Sequence, residues 1–224
     1  MTPLLLLAMS HAMQAKATDV LMQGWTVRTT PEVLIAPEWL AASEELRNQL
    51  YRINRVVPDE PLKKLHQIVI WVTREDPKTP CAAYHPDVAW LKDNHLNPEM
   101  AKCVQIANIK NFCSWTYEQP WMILHELAHG YHDQFLPKGF DNPTVKAAYD
   151  AAMASGKYKE VLHWNGAKAK HYATNNQMEY FSESTEAYFG QNDFYPFVNA
   201  ELKTYDPGTY TLMQTIWGTP QKRP

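Results

Sequence analysis

Short apolar runs separated by polar, proline-bearing connections fill the first half of the chain, and helical periodicity fills the second. Residues 20–29 are rich in strand formers and stop near Pro31, which predicts an edge strand. Ser43 reads as a helix N-cap, and Leu46, Leu50 and Ile53 keep helical spacing up to Pro58. Residues 65–73 hold a continuous apolar run that predicts a buried strand. Residues 74–98 read as a long polar connection with four prolines, on which His85 and His95 are expected to be solvated. Residues 103–108 alternate like a strand with one buried side.

Beyond residue 120 the elements lengthen. A helix is expected to start at Pro120 and continue past His129, followed by a turn at residues 136–139. Asp141 or Asn142 caps a helix with Pro143 at its first position, and Gly156 stops it. Residues 158–164 alternate as a strand up to Asn165-Gly166, a strong hairpin signal, so a small β-flap is expected. A helix over residues 175–189 follows, and Asp206-Pro207 opens a last helix that Gly218 ends. Strand–helix–strand followed by helices predicts an α+β fold. One domain over residues 19–224 is expected, and residues 1–18 are set apart.

That first segment resembles a processing signal. Leu4 to Met9 is a short apolar stretch, and Ala15-Lys16-Ala17 resembles a small-residue cleavage site, although no basic residues precede them. Export, and hence an extracytoplasmic or secreted location, is the expectation; a frayed tail is the competing reading. The apolar stretch is too short to cross a bilayer. A net charge of −3 offers no reason to expect nucleic acid or an anionic membrane as partner. Cys81, Cys103 and Cys113 show no Cys-x-x-Cys spacing, which argues against a structural thiolate zinc site. In an exported protein Cys81 could pair with Cys103; buried free thiols are the alternative.

The chemistry concentrates at His125-Glu126-Leu127-Ala128-His129. Two histidines four apart on a helix share a face and can reach one metal ion. Glu126 falls about 100° round the helix, beside the ion, where a general base for a metal-activated water is wanted. About fifty residues on, Glu179, Glu183 and Glu186 form a stripe within about 60° of one another. Aromatic neighbours (Tyr180, Phe181, Tyr188, Phe189) demand that this helix be buried, and buried carboxylates need a cationic partner. Zinc held by His125, His129 and one of these carboxylates meets that need. His163 or His171 is a rival third ligand, as is Glu183 in place of Glu179. The metzincin pattern is excluded, because His132 and Phe135 stand where it requires Gly and His.

The pair His125-x-x-x-His129 and Glu179-Tyr-Phe-Ser-Glu183, with Tyr172 seven residues before Glu179, resembles the gluzincins. Within them it is similar to the catalytic domain of anthrax lethal factor, to the Pro-Pro endopeptidases and to uncharacterised bacterial metallopeptidases. The likeness is specific over residues 104–132 and 172–189 and thin before residue 60. It implies a zincin-like fold, a small mixed sheet packed on the motif helix with a helical C-terminal lobe. It also implies Zn2+ held by His125, His129 and Glu179, with Glu183 in the outer shell, where it would orient His125 or His129 through the free imidazole N–H, and Tyr172 as a catalytic hydroxyl. Glu186 has no counterpart role.

The expected activity is zinc-dependent hydrolysis of a peptide or protein, as a monomeric endopeptidase with Glu126 as general base and Tyr172 facing the oxyanion. The strand at residues 104–108 is the candidate edge for an extended substrate, with Asn108 reaching its backbone. Two competitors are a zinc hydrolase of a non-protein amide or cell-wall peptide, and a zinc-stabilised binding module without turnover.

Overall fold

The computed structural model describes residues 17–223, so most of the signal-like segment lies outside the described residues. A five-stranded mixed sheet is ordered β1-β2-β3-β5-β4. It comprises β1 (Thr18–Met22), β2 (Trp25–Thr29), β3 (Ile70–Val72), β4 (Ala82–Tyr84) and β5 (Val104–Ile106). β1 and β2 are antiparallel, β2, β3 and β5 run parallel, and β4 closes the far edge antiparallel to β5.

The expected single strand at residues 20–29 is a hairpin, turned at Gln23 and Gly24 with φ of 53° and 100°. Two successive positive φ values match a tight primed turn, which Gly24 makes easy.

Helices α1 (Pro31–Leu34), α2 (Trp39–Val56) and α3 (Asp59–Leu65) link β2 to β3. α2 starts ahead of the expected Ser43 cap; Glu38 stands at its N-cap, and the Ser43 hydroxyl bonds back to the Leu40 carbonyl. The supposed polar connection at residues 74–98 contains β4 and α4 (Val88–Asp93). His85 is therefore buried rather than solvated, with Nε2 2.7 Å from the Gln105 side-chain oxygen and its ring stacked on Trp90. Because β4 lies outside β5, β5 is an interior strand and the expected substrate edge at residues 104–108 is not an edge.

α5 (Ile109–Trp115) leads to the motif helix α6 (Met122–Phe135). α7 (Pro143–Ser155) has the expected Asn142 cap, whose side chain accepts from the amides of Thr144 and Val145, and the Gly156 stop at φ 72°. The flap is β6 (Val161–Leu162) with β7 (Lys168–Ala169), and α8 (Gln177–Phe189) follows. α9 (Asn199–Tyr205), which no sequence signal announced, precedes α10 (Pro207–Trp217), capped by Asp206.

Strand alternation divides the sheet. Val27, Ile70, Val72, Val104 and Ile106 join α2, α6 and α8 in one large core, whereas Trp71 packs with Leu91, Met100 and Cys103 on the opposite face. All three cysteines are free. Cys81 lies in the large core and Cys103 in the smaller cluster, so the suggested pairing does not form. Among the described residues no helix is long and apolar enough to cross a membrane.

Candidate metal centre

α6 and α8 carry the site. The first turn of α6 is fixed from outside itself: the buried Gln49 side chain on α2 accepts the Ile123 amide at 3.0 Å. Leu124, Leu127, Ala128 and Tyr131 bury the opposite faces, which leaves His125, Glu126 and His129 toward a cleft of about 760 Å³. The Asn176 side chain caps α8 by accepting the Glu179 amide at 2.8 Å, which sets Glu179 in the first helical turn.

Three ligand-type atoms meet there. The Nε2 atoms of His125 and His129 are 3.1 Å apart. Glu179 Oε2 lies 3.1 Å from the first and 3.2 Å from the second. With His125 neutral, hydrogen bonding alone leaves this triangle short of protons; with His125 protonated, its two N–H groups serve Glu186 and Glu179. His125 Nδ1 lies 2.7 Å from Glu186 Oε1, and donating there leaves only a lone pair at Nε2 of a neutral ring. One proton on His129 Nε2 can serve only one of its two neighbours. A divalent cation serves all three at once, and tetrahedral zinc with bonds of about 2.0–2.1 Å spaces its ligands about 3.3–3.4 Å apart. The observed edges come close to that, so these side chains fit such an ion.

The local field has the same sense. Burial opposes a charge on His125, but Glu179 and Glu186 outweigh it and push its pKa well above the ordinary histidine value. Burial likewise opposes ionisation of Glu179, yet hydrogen bonds with both histidines hold it well below the usual carboxylate range. These groups together favour positive charge at the triangle, whether a proton on His125 or a bound cation.

No family model, no curated protein and no solved structure matches the chain.

Glu183 and Glu186 are both buried inside α8. Glu183 Oε1 stands 3.6 Å from His125 Nδ1, beyond hydrogen-bond reach, while its other oxygen accepts from Asn192 Nδ2 at 3.0 Å. Glu186 therefore takes the orienting bond expected of Glu183. Its position one turn further along the acidic stripe was legible; its role was not. Burial and the proximity of Glu186 push Glu183 well above the carboxylate range. Burial raises Glu186 to about 7 against the pull of His125. His125, Glu183 and Glu186 also lie close enough together to hold an ion, but the short Nδ1–Glu186 bond explains that grouping without one.

Glu126 lines the cleft, and its Oε2 accepts the Tyr84 backbone amide at 2.8 Å. Tyr172 also lines the cleft and is 47 % exposed. Burial of part of its ring and the nearby Glu179 raise its pKa, so the hydroxyl stays protonated. Neither rival histidine joins the triangle. His171 is buried and accepts the Ala173 amide through Nδ1. His163 lines the cleft with Nε2 3.5 Å from Asp193 Oδ2. Asn108 serves elsewhere: its side chain caps α5 by accepting the Asn111 amide at 2.9 Å.

Proposed function

We propose that this chain is a zinc-dependent peptide hydrolase with a zincin-like arrangement, in which His125, His129 and Glu179 hold the ion. The near-equilateral triangle of His125 Nε2, His129 Nε2 and Glu179 Oε2 carries the reading. Three protein ligands leave a position for solvent, as catalytic rather than structural zinc requires. Bound zinc lowers the pKa of a water and polarises a carbonyl.

The chain's own groups supply the rest. Glu126 takes a proton from the attacking water and returns it to the leaving amine. The protonated Tyr172 hydroxyl donates a hydrogen bond to the oxygen that gains charge. Glu186 holds the His125 ring through Nδ1. The free edge that receives an extended substrate is β4. The flanking residues Cys81 and His85 bond toward the β5 side, through Ala107 N to Cys81 O and His85 N to Cys103 O. Strand alternation turns the Ala82 and Tyr84 backbone groups the other way, toward the cleft, where Glu126 already meets Tyr84.

The test is zinc content together with cleavage of casein and a peptide library, for the wild type and Glu126→Gln. Stoichiometric zinc in both proteins with cleavage only in the wild type is expected. Zinc without cleavage of any peptide by the wild type favours the binding module or a non-peptide amide substrate. A protein that binds no zinc ends the proposal.

A further inference from the structure

We infer that Tyr84 is a positioning residue for the general base: it spans one face of α6, its amide holding the Glu126 carboxylate while Asp133 anchors its hydroxyl. The inference rests on the peptide-hydrolase reading above and adds a side chain that acts through Glu126 rather than on substrate.

Glu126, Gly130 and Asp133 stand at i, i+4 and i+7 on α6, within about 60° of one another on one helical face. Tyr84 meets all three. Its amide donates to Glu126 Oε2 at 2.8 Å, and its hydroxyl donates to Asp133 Oδ2 at 2.6 Å. Between these contacts the ring passes over Gly130, where an added Cβ would stand 3.1 Å from Tyr84 Cε2 and 2.7 Å from Ile68 Cδ1. Glycine at that position is what lets the buried ring lie flat enough to reach both ends.

The hydroxyl end is tied down in turn. Lys102 Nζ donates to the same Asp133 Oδ2 at 2.6 Å. Gln134 Nε2 donates to the Tyr84 hydroxyl at 3.1 Å and to the Lys102 carbonyl at 3.0 Å. The Lys102 amide donates to the His85 carbonyl at 2.7 Å, which closes the network onto the end of β4.

This matters because β4 is an edge strand of three residues, paired on one side alone, and such a strand frays unless something else holds it. The Tyr84 side chain is that second attachment. Among the described residues the Tyr84 amide is the only hydrogen-bond partner of the Glu126 carboxylate. A base must be held within about 0.5 Å of its productive position, and a glutamate on a cleft wall has three torsions free to stray. Holding Oε2 also leaves Oε1 to take the proton.

The experiment compares zinc-loaded wild type, Tyr84→Phe, Asp133→Asn and Asp133→Leu in steady-state cleavage of a peptide that the wild type cuts. Zinc content and melting temperature are measured alongside, and NMR follows exchange of the residue-84 amide proton in metal-free protein. Tyr84→Phe keeps the ring and the amide but loses the anchor, so kcat should fall about 10- to 100-fold while KM and zinc content hold. Asp133→Leu should match it. Asp133→Asn still accepts from the hydroxyl and should keep most of the wild-type kcat. The residue-84 amide should exchange faster in Tyr84→Phe and Asp133→Leu than in the wild type, because its bond to Glu126 loosens. A raised KM at unchanged kcat would make Tyr84 a support for the substrate edge alone and overturn the inference. Unchanged kcat in folded Tyr84→Phe overturns it too, as does unchanged amide exchange, and each of these leaves the hydrolase reading standing. Should Tyr84→Phe fail to fold, Asp133→Leu decides alone. Absence of cleavage by the zinc-loaded wild type sinks the hydrolase reading and this role together.

Discussion

His125 Nδ1 stands 2.7 Å from Glu186 Oε1 and 3.6 Å from Glu183 Oε1. Only the shorter contact can fix which ring nitrogen of His125 would present its lone pair to a zinc ion bound as proposed. Glu186→Gln should therefore weaken zinc affinity by about 10- to 100-fold, and Glu183→Gln by less. Competition against a zinc chelator gives both numbers, and the reverse ranking would return the orienting role to Glu183.

Tyr172→Phe removes one hydroxyl from a half-exposed ring, so folding and zinc content should hold. Loss of an oxyanion donor should lower kcat by on the order of 10²–10³ with little change in KM. Steady-state kinetics on any cleaved peptide settle it: an unchanged kcat reduces Tyr172 to a wall of the cleft.

His132 is fully buried between Phe140 and Phe181, and neither ring nitrogen has a hydrogen-bond partner among the described residues. Burial lowers its pKa from 6.5 to about 4. Between those values the unfolded chain takes up a proton that the folded chain refuses. Stability is thus lost as pH falls through that window, at about 1.4 kcal/mol per pH unit. His171, lowered by burial to about 3, adds a loss of the same sign. His132→Leu should flatten the acid slope and stabilise the protein at pH 7 by about 1 kcal/mol, since a buried unsatisfied polar group is removed. Urea unfolding of metal-free protein at pH 7 and pH 5 checks this. An undiminished slope means that the ring is solvated.

Gly190 at the C-cap of α8 abuts the ring of Trp121, the N-cap residue of α6, so that an added Cβ would collide with the indole. Gly190→Ala should cost about 1–3 kcal/mol and loosen the packing of the two helices that carry the candidate ligands. A lowered melting temperature with weakened zinc binding is expected; a neutral substitution would show that the indole can move aside.

Local signals along the chain were enough for the motif helix, the capped and glycine-stopped α7, the flap turn, α8 and α10, because caps, stops and periodicity act within a few residues. They also brought His125, His129 and Glu179 onto one list of ligands, through spacing and resemblance. Signals that depend on distant partners failed. The three residues of β4 look like loop until they pair with β5, and that pairing demotes residues 104–108 from edge to interior. His85 looks solvated until Gln105 and Trp90 cover it.

The order of chemistry along the chain is a property of the sequence alone: a histidine pair with its glutamate, then a carboxylate stripe on a helix too apolar to be exposed. Tertiary structure alone decided which carboxylate faces which nitrogen. Residues 179, 183 and 186 share one narrow helical face, so spacing cannot rank them. Their roles follow from the crossing of α6 and α8 and from Asn192 drawing Glu183 aside. Spacing sets what a helix can present; packing sets what it meets.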